Sequence, residues 1–94
     1  MAYMITHFWP GATVEQYWEE VAAIHPGGVR PKGETYHAAG STEGGVLVVA
    51  VWDSRESCDR FLVDVLMPTV GKPGGLKVKP EERTAETFNI VITQ

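Results

Sequence analysis

A chain of 94 residues with 44% hydrophobic and 21% charged residues is sized for one domain, residues 1–94, and has the composition of an ordinary globular protein. Twelve acidic residues against eight basic ones give a net charge of −4, which disfavours a nucleic-acid-binding face and a polybasic membrane anchor. The single cysteine, Cys58, excludes an intrachain disulfide.

No apolar run approaches the roughly 20 residues of a membrane-spanning helix. The opening MAYMITHFWP lacks the basic start and apolar core of a signal peptide, so a reduced, cytoplasmic setting is expected.

Ala2 to Trp9 reads as a first strand, with Tyr3, Ile5, His7 and Trp9 on one face and Met4, Thr6 and Phe8 on the other. Pro10 and Gly11 end it. Thr13 and Gln16 have the spacing of a capping box, which starts a helix over Val14 to His25. Its inner stripe is expected to hold Val14, Tyr17, Trp18, Val21, Ala22 and His25, with Glu19 and Glu20 in water. Pro26 to Gly28 stop the helix. Thr35 to Ala39 is a short second strand, and GSTEGG, Gly40 to Gly45, is a hairpin turn.

Val46 to Trp52 is the third strand. Val46 to Val51 is apolar on both faces, so its sheet needs two covers. One chain of this length has helices for one cover, and a second copy is expected to supply the other. Asp53 or Ser54 caps a second helix, with Glu56 completing a box with Asp53. Cys58, Phe61, Leu62, Val65 and Leu66 form its apolar stripe, and Pro68 ends or bends it near Met67. Gly71 to Arg83 is an irregular, basic connection carrying Lys72, Lys77, Lys79 and Arg83. Ala85 to Thr93 closes the chain as a fourth strand. The order is βαββαβ, an α+β ferredoxin-like fold with a four-stranded antiparallel sheet and two helices on one face.

The third strand, Val48-Val49-Ala50-Val51-Trp52-Asp53-Ser54, followed by Arg55-Glu56-Ser57 and Phe61, resembles the dimeric α/β-barrel superfamily, close to the antibiotic-biosynthesis-monooxygenase-like proteins. Tyr36-His37-Ala38-Ala39-Gly40 and Leu66-Met67-Pro68 are similar to features of its small bacterial members. The resemblance implies a homodimer packed through its sheet faces, with a cavity in each monomer between sheet and helices. It implies an oxygenase that uses no metal, flavin or haem. A small aromatic or polyketide-type substrate, an electron-rich phenol or anthrone, is deprotonated there and reacts directly with oxygen. Trp52 is carried over as a residue of the pocket wall. Where those oxygenases carry an asparagine on the first strand, this chain has Thr6 and His7.

The residues suited to such chemistry are few. Histidine is the side chain suited to moving protons near neutral pH, and His37 and His7 are the candidate catalytic bases. The register across GSTEGG leaves open which sheet face His37 takes, and an ordinary half-buried histidine at a sheet edge is the other reading. Trp52, Trp18 and Trp9 suit a flat ligand, Tyr17 and Tyr36 suit an oxyanion, and Asn89 suits a carbonyl. The same residues also serve as plain core or interface. His25 ends a helix, where a cation complements the dipole. Cys58 reads as a small buried hydrophobe. The three histidines lie on three elements and no metal-binding spacing occurs, so no metal and no cofactor is expected. Three alternatives stand beside the oxygenase: a cyclase or isomerase using the same pocket, a non-catalytic dimeric ligand-binding or stress-associated protein, and a haem-binding protein.

Overall fold

The computed structural model describes residues 1–71, 76 and 78–93. Strand β1, Tyr3–Pro10, alternates as its sequence requires: Tyr3, Ile5, His7 and Trp9 are buried and the residues between them half-buried. Helix α1, Val14–Ile24, is preceded by Thr13. The Thr13 hydroxyl accepts from the Gln16 N–H at 3.2 Å, and the Gln16 side chain accepts from the Thr13 N–H at 3.0 Å. Strands β2, Glu34–Thr42, and β3, Gly45–Trp52, form a hairpin. Thr42 pairs with Gly45, so the turn is Glu43-Gly44 alone and β2 is longer than its sequence pattern suggests. Helix α2, Arg55–Phe61, and strand β4, Glu81–Glu86, complete the order βαββαβ.

The sheet is antiparallel, in the order β2-β3-β1-β4, with β1 and β3 central. Both helices lie on the face that carries Tyr3, Ile5, Trp9, Ala50 and Trp52. The fold is the ferredoxin-like α+β arrangement expected from the sequence.

Three local expectations change. The cap of α2 is Ser54, whose hydroxyl accepts from the Ser57 N–H at 3.2 Å, so the Asp53–Glu56 box does not form. After Phe61 the helix widens into a π-helical turn, Leu62–Leu66, then tightens into a 3₁₀ turn, Met67–Thr69, around Pro68. The fourth strand lies earlier than Ala85 to Thr93. Glu86 pairs with Tyr3 and the Thr87 N–H donates to the Ala2 carbonyl at 3.0 Å, which uses up the backbone of β1. Residues 88–93 keep their alternating pattern but pair with no strand among the described residues, and Phe88, Ile90, Val91 and Ile92 are exposed. Lys72 and Lys77 lie outside the described residues, and Arg83 belongs to β4, opposite Thr6.

Gly45 pairs with both Pro10 and Thr42, and a Cβ there would collide with the Trp9 carbonyl oxygen. That atom belongs to a central strand and has no room to yield. Gly45→Ala should therefore cost about 2 kcal/mol or more, read as a lower urea midpoint at unchanged m-value. An unchanged midpoint would mean that β1 and β3 are not held this closely.

Candidate active site

His7 divides the core. It stands in the buried row of β1 between Ile5 and Trp9. Tyr3 and Ile5 pack with Ala50, Trp52 and Cys58, whereas Trp9 packs with Leu66 and Leu76. Between these clusters lies a small, largely apolar cavity of about 60 Å³. Its open part is narrow, so a fused-ring ligand enters only as side chains shift. All three histidines reach it, with Glu20 and Glu34.

The register across the hairpin decides the face of His37. It pairs with Ala50, which is buried under the helices, and paired residues share a face. A bulge between Glu34 and Tyr36 then does something regular alternation cannot. It brings Glu34, three residues before His37, to the same side. Glu34 Oε2 lies 3.3 Å from His37 Nδ1, and His37 Nε2 lies 2.8 Å from the Tyr17 hydroxyl of α1. Arg30 completes the row, with Nε donating to Glu34 Oε1 at 2.9 Å. Burial alone would raise the Glu34 carboxyl, but hydrogen bonds from His37 and Arg30 outweigh it and hold the group below the usual carboxylate range. An ionised Glu34 accepts from Nδ1–H. That leaves Nε2 as the basic nitrogen, and the Tyr17 hydroxyl donates to it. Burial raises the Tyr17 phenol, so it keeps its proton at neutral pH.

His7 is held from the other side of the sheet centre, its Nε2 3.0 Å from Glu82 Oε2 on β4 and its ring edge-on to Trp9. His25 does not act as a helix-end cation. It is buried and stacked parallel on Phe61 at 5.7 Å. Burial and nearby Arg30 push its imidazole below the ordinary range, so it is neutral. The Trp52 indole N–H is buried and has no hydrogen-bond partner among the described residues, an uncommon state that calls for an explanation. Burial pushes the Cys58 thiol up to about 12, which makes it unreactive.

Glu20 was expected in water and is buried instead. It shares the stripe of Tyr17, Val21 and Ile24 at helical spacing. One of its oxygens accepts from the Leu76 N–H at 2.9 Å, and the other lies 2.8 Å from the Thr69 hydroxyl. That hydroxyl is also 2.7 Å from the Leu66 carbonyl and has one proton to give. Every group is satisfied when Thr69 donates to Leu66 and a protonated Glu20 donates to Thr69. Burial raises the Glu20 carboxyl, in keeping with this count.

His37, His7, Tyr17, Trp52 and Trp9 thus meet at one cavity. Trp18, Tyr36 and Asn89 are not among its lining residues. Trp18 is one position round the helix from Tyr17, is 61% exposed, and with Tyr36 flanks an outer cleft behind the Tyr17–His37 wall. Asn89 lies past the end of β1, by a groove on the opposite sheet face. Glu34, Glu82 and His25 enter the cavity's chemistry without having been singled out for it. A sequence shows neither a bulge nor the β1–β4 register. Among the described residues, no three of His, Cys, Asp and Glu are grouped so as to hold a metal ion.

The chain is similar to two solved oxygenases. One is the monooxygenase of ActVA-Orf6 from Streptomyces coelicolor, solved with nanaomycin D. The TM-score is 0.57 at 16% identity, over 99% of this chain and 92% of that one. The other is SnoaB, a cofactor-independent oxygenase from Streptomyces nogalater, solved as a single-site variant. The TM-score is 0.54 at 13% identity, over 99% of this chain and 97% of that one. The chain thus shares its fold with these two oxygenases. No protein-family model and no curated protein matches the chain.

The state of Glu20 is testable. Glu20→Gln keeps both hydrogen bonds, the amide donating to Thr69 and accepting from Leu76. A carboxyl raised in the folded state stabilises below its unfolded pKa, and that stability is lost as pH rises through the folded pKa. The variant should match the parent near pH 4 and exceed it in urea midpoint near pH 8. A difference independent of pH would refute a neutral Glu20.

Proposed function

We propose that this cavity is the active site of a cofactor-independent, monooxygenase-like enzyme acting on a small aromatic or polyketide-type substrate. The observation that carries the reading is the chain Glu34–His37–Tyr17, which ends on the wall of an apolar cavity. An ionised carboxylate fixes the imidazole tautomer, and the imidazole is ready to take the tyrosine proton as the phenol oxygen takes one from the substrate. His37 is the base and Tyr17 the relay. Trp52 walls the cavity, and its indole N–H, buried without a partner among the described residues, is the donor we assign to the oxyanion once the ring turns toward it. The carbanion or phenolate so formed is electron-rich enough to reduce oxygen directly. The likeness in fold to two oxygenases, one described as cofactor-independent, supports the same reading.

Oxygen uptake with a panel of hydroquinones and anthrones tests it. Uptake should exceed the buffer rate for at least one substrate. His37→Gln should lower kcat/KM about 100-fold and Tyr17→Phe about 10-fold, the range for a general base and its relay. No uptake across the panel would refute oxygenation, and turnover without oxygen would assign the pocket to isomerase or cyclase chemistry.

The working unit in this reading is a homodimer. Exposed Leu47 and half-buried Val49 and Val51 form an apolar outer sheet face, continuous with the groove beside residues 89–93. A second copy of the chain covers both. Native mass spectrometry should give twice the 10.3 kDa chain mass. Val51→Asp, on the outer face, should give a folded monomer, and a parent protein that is itself monomeric would refute the dimer.

A further inference from the structure

We propose that His7 and Glu82 form a second proton-transfer pair on the same cavity, working at the other end of the bound molecule from Tyr17 and His37. His7 is 6% exposed and walls the cavity. Its Nε2 is 3.0 Å from Glu82 Oε2, and the two residues are directly opposed on β1 and β4. A carboxylate accepting from Nε2–H leaves the lone pair on Nδ1, which has no partner among the described residues. Glu82 touches no substrate in this arrangement. It is a positioning residue that selects the tautomer and stabilises the imidazolium when His7 takes a proton.

The register keeps the two imidazoles apart. His7 pairs with Val48 and His37 with Ala50, on opposite sides of β3 and two residues out of step. Strand spacing and rise put their Cα atoms about 12 Å apart. They cannot serve one proton, but they can serve two positions of one fused-ring molecule.

The inference rests on the oxygenation reading; with an anthrone-type substrate, whose methylene would become a carbonyl, two C–H protons must leave. The Tyr17–His37 unit takes the first, and the carbanion adds oxygen. The distal peroxide oxygen recovers that proton to give a hydroperoxide. His7 Nδ1 then takes the remaining C–H proton as the O–O bond breaks. The C–H electron pair closes the carbonyl, and the departing hydroxide takes the proton from Nδ1 and leaves as water. Carbon loses four electrons and oxygen gains four, so no other reductant is required.

Two measurements test this separately from the reading beneath it. With anthrone as the probe, Glu82→Gln and His7→Gln should lower the anthraquinone formed per oxygen consumed at least fivefold, with organic hydroperoxide making up the difference. Full anthraquinone yield in both variants, or a parallel loss of uptake and yield as from a merely structural change, would overturn the assignment. In ¹⁵N-histidine-labelled protein, long-range correlation spectra should show His7 protonated on Nε2 and bare on Nδ1, with the Nδ1 resonance moving when anthraquinone is added. A His7 protonated on Nδ1, or unmoved by the ligand, would overturn the pair. Absence of oxygen uptake by the parent protein, with the Nδ1 shift present, would remove the oxygenation reading and leave the pair as a unit for oxygen-free proton transfer.

Discussion

The structure depends on one departure from a rule: a histidine in the buried row of a central strand. Tyr3, Ile5 and Trp9 bury large side chains against the helices, and an aliphatic residue in place of His7 would join them into one core. An imidazole in that position needs a polar partner and cannot be packed over completely. It finds the partner on β4 and leaves a gap in the middle of the domain. The apolar clusters on either side remain large enough to hold the sheet and helices together. The cavity is thus built into the core rather than cut from the surface.

The polar groups around the gap are organised by backbone geometry more than by sequence proximity. The β2 bulge turns Glu34 toward His37, and the α1 stripe brings Tyr17 to the other nitrogen of the same ring. Each polar group reaches the cavity from a different element. A small rotation of α1 or a slip of the hairpin would break the chain of hydrogen bonds without unfolding the domain. Interior packing tolerates such errors poorly, so the packing that stabilises the fold also aligns the site.

Much of this was legible in the residues. The alternation of β1, the capping box at Thr13 and the apolar β3 ending in Trp52 each express a local rule that nothing else in the chain overrides. The failures have physical causes. Trp18 looks like core by composition, but the helix turns it outward one step past Tyr17. Glu20 looks like surface, yet a hydroxyl and a backbone N–H are available to satisfy it indoors. Residues 88–93 have the pattern of a strand, and pattern does not say whether a neighbouring strand extends far enough to pair with it. Pairing across the sheet also placed Glu82 beside His7, a juxtaposition separated by 75 positions in sequence.

The buried thiol of Cys58 has a consequence for durability. Peroxides oxidise thiolates and leave thiols nearly untouched, because the thiolate is the nucleophile. With its ionisation pushed up to about 12 and its side chain wholly enclosed, the lone sulfhydryl holds almost no thiolate at neutral pH. The oxygenation proposed above passes through a hydroperoxide, and a thiolate within its reach would be consumed over repeated turnovers. Here the molecule's one cysteine sulfur is kept in the form that peroxide attacks slowly.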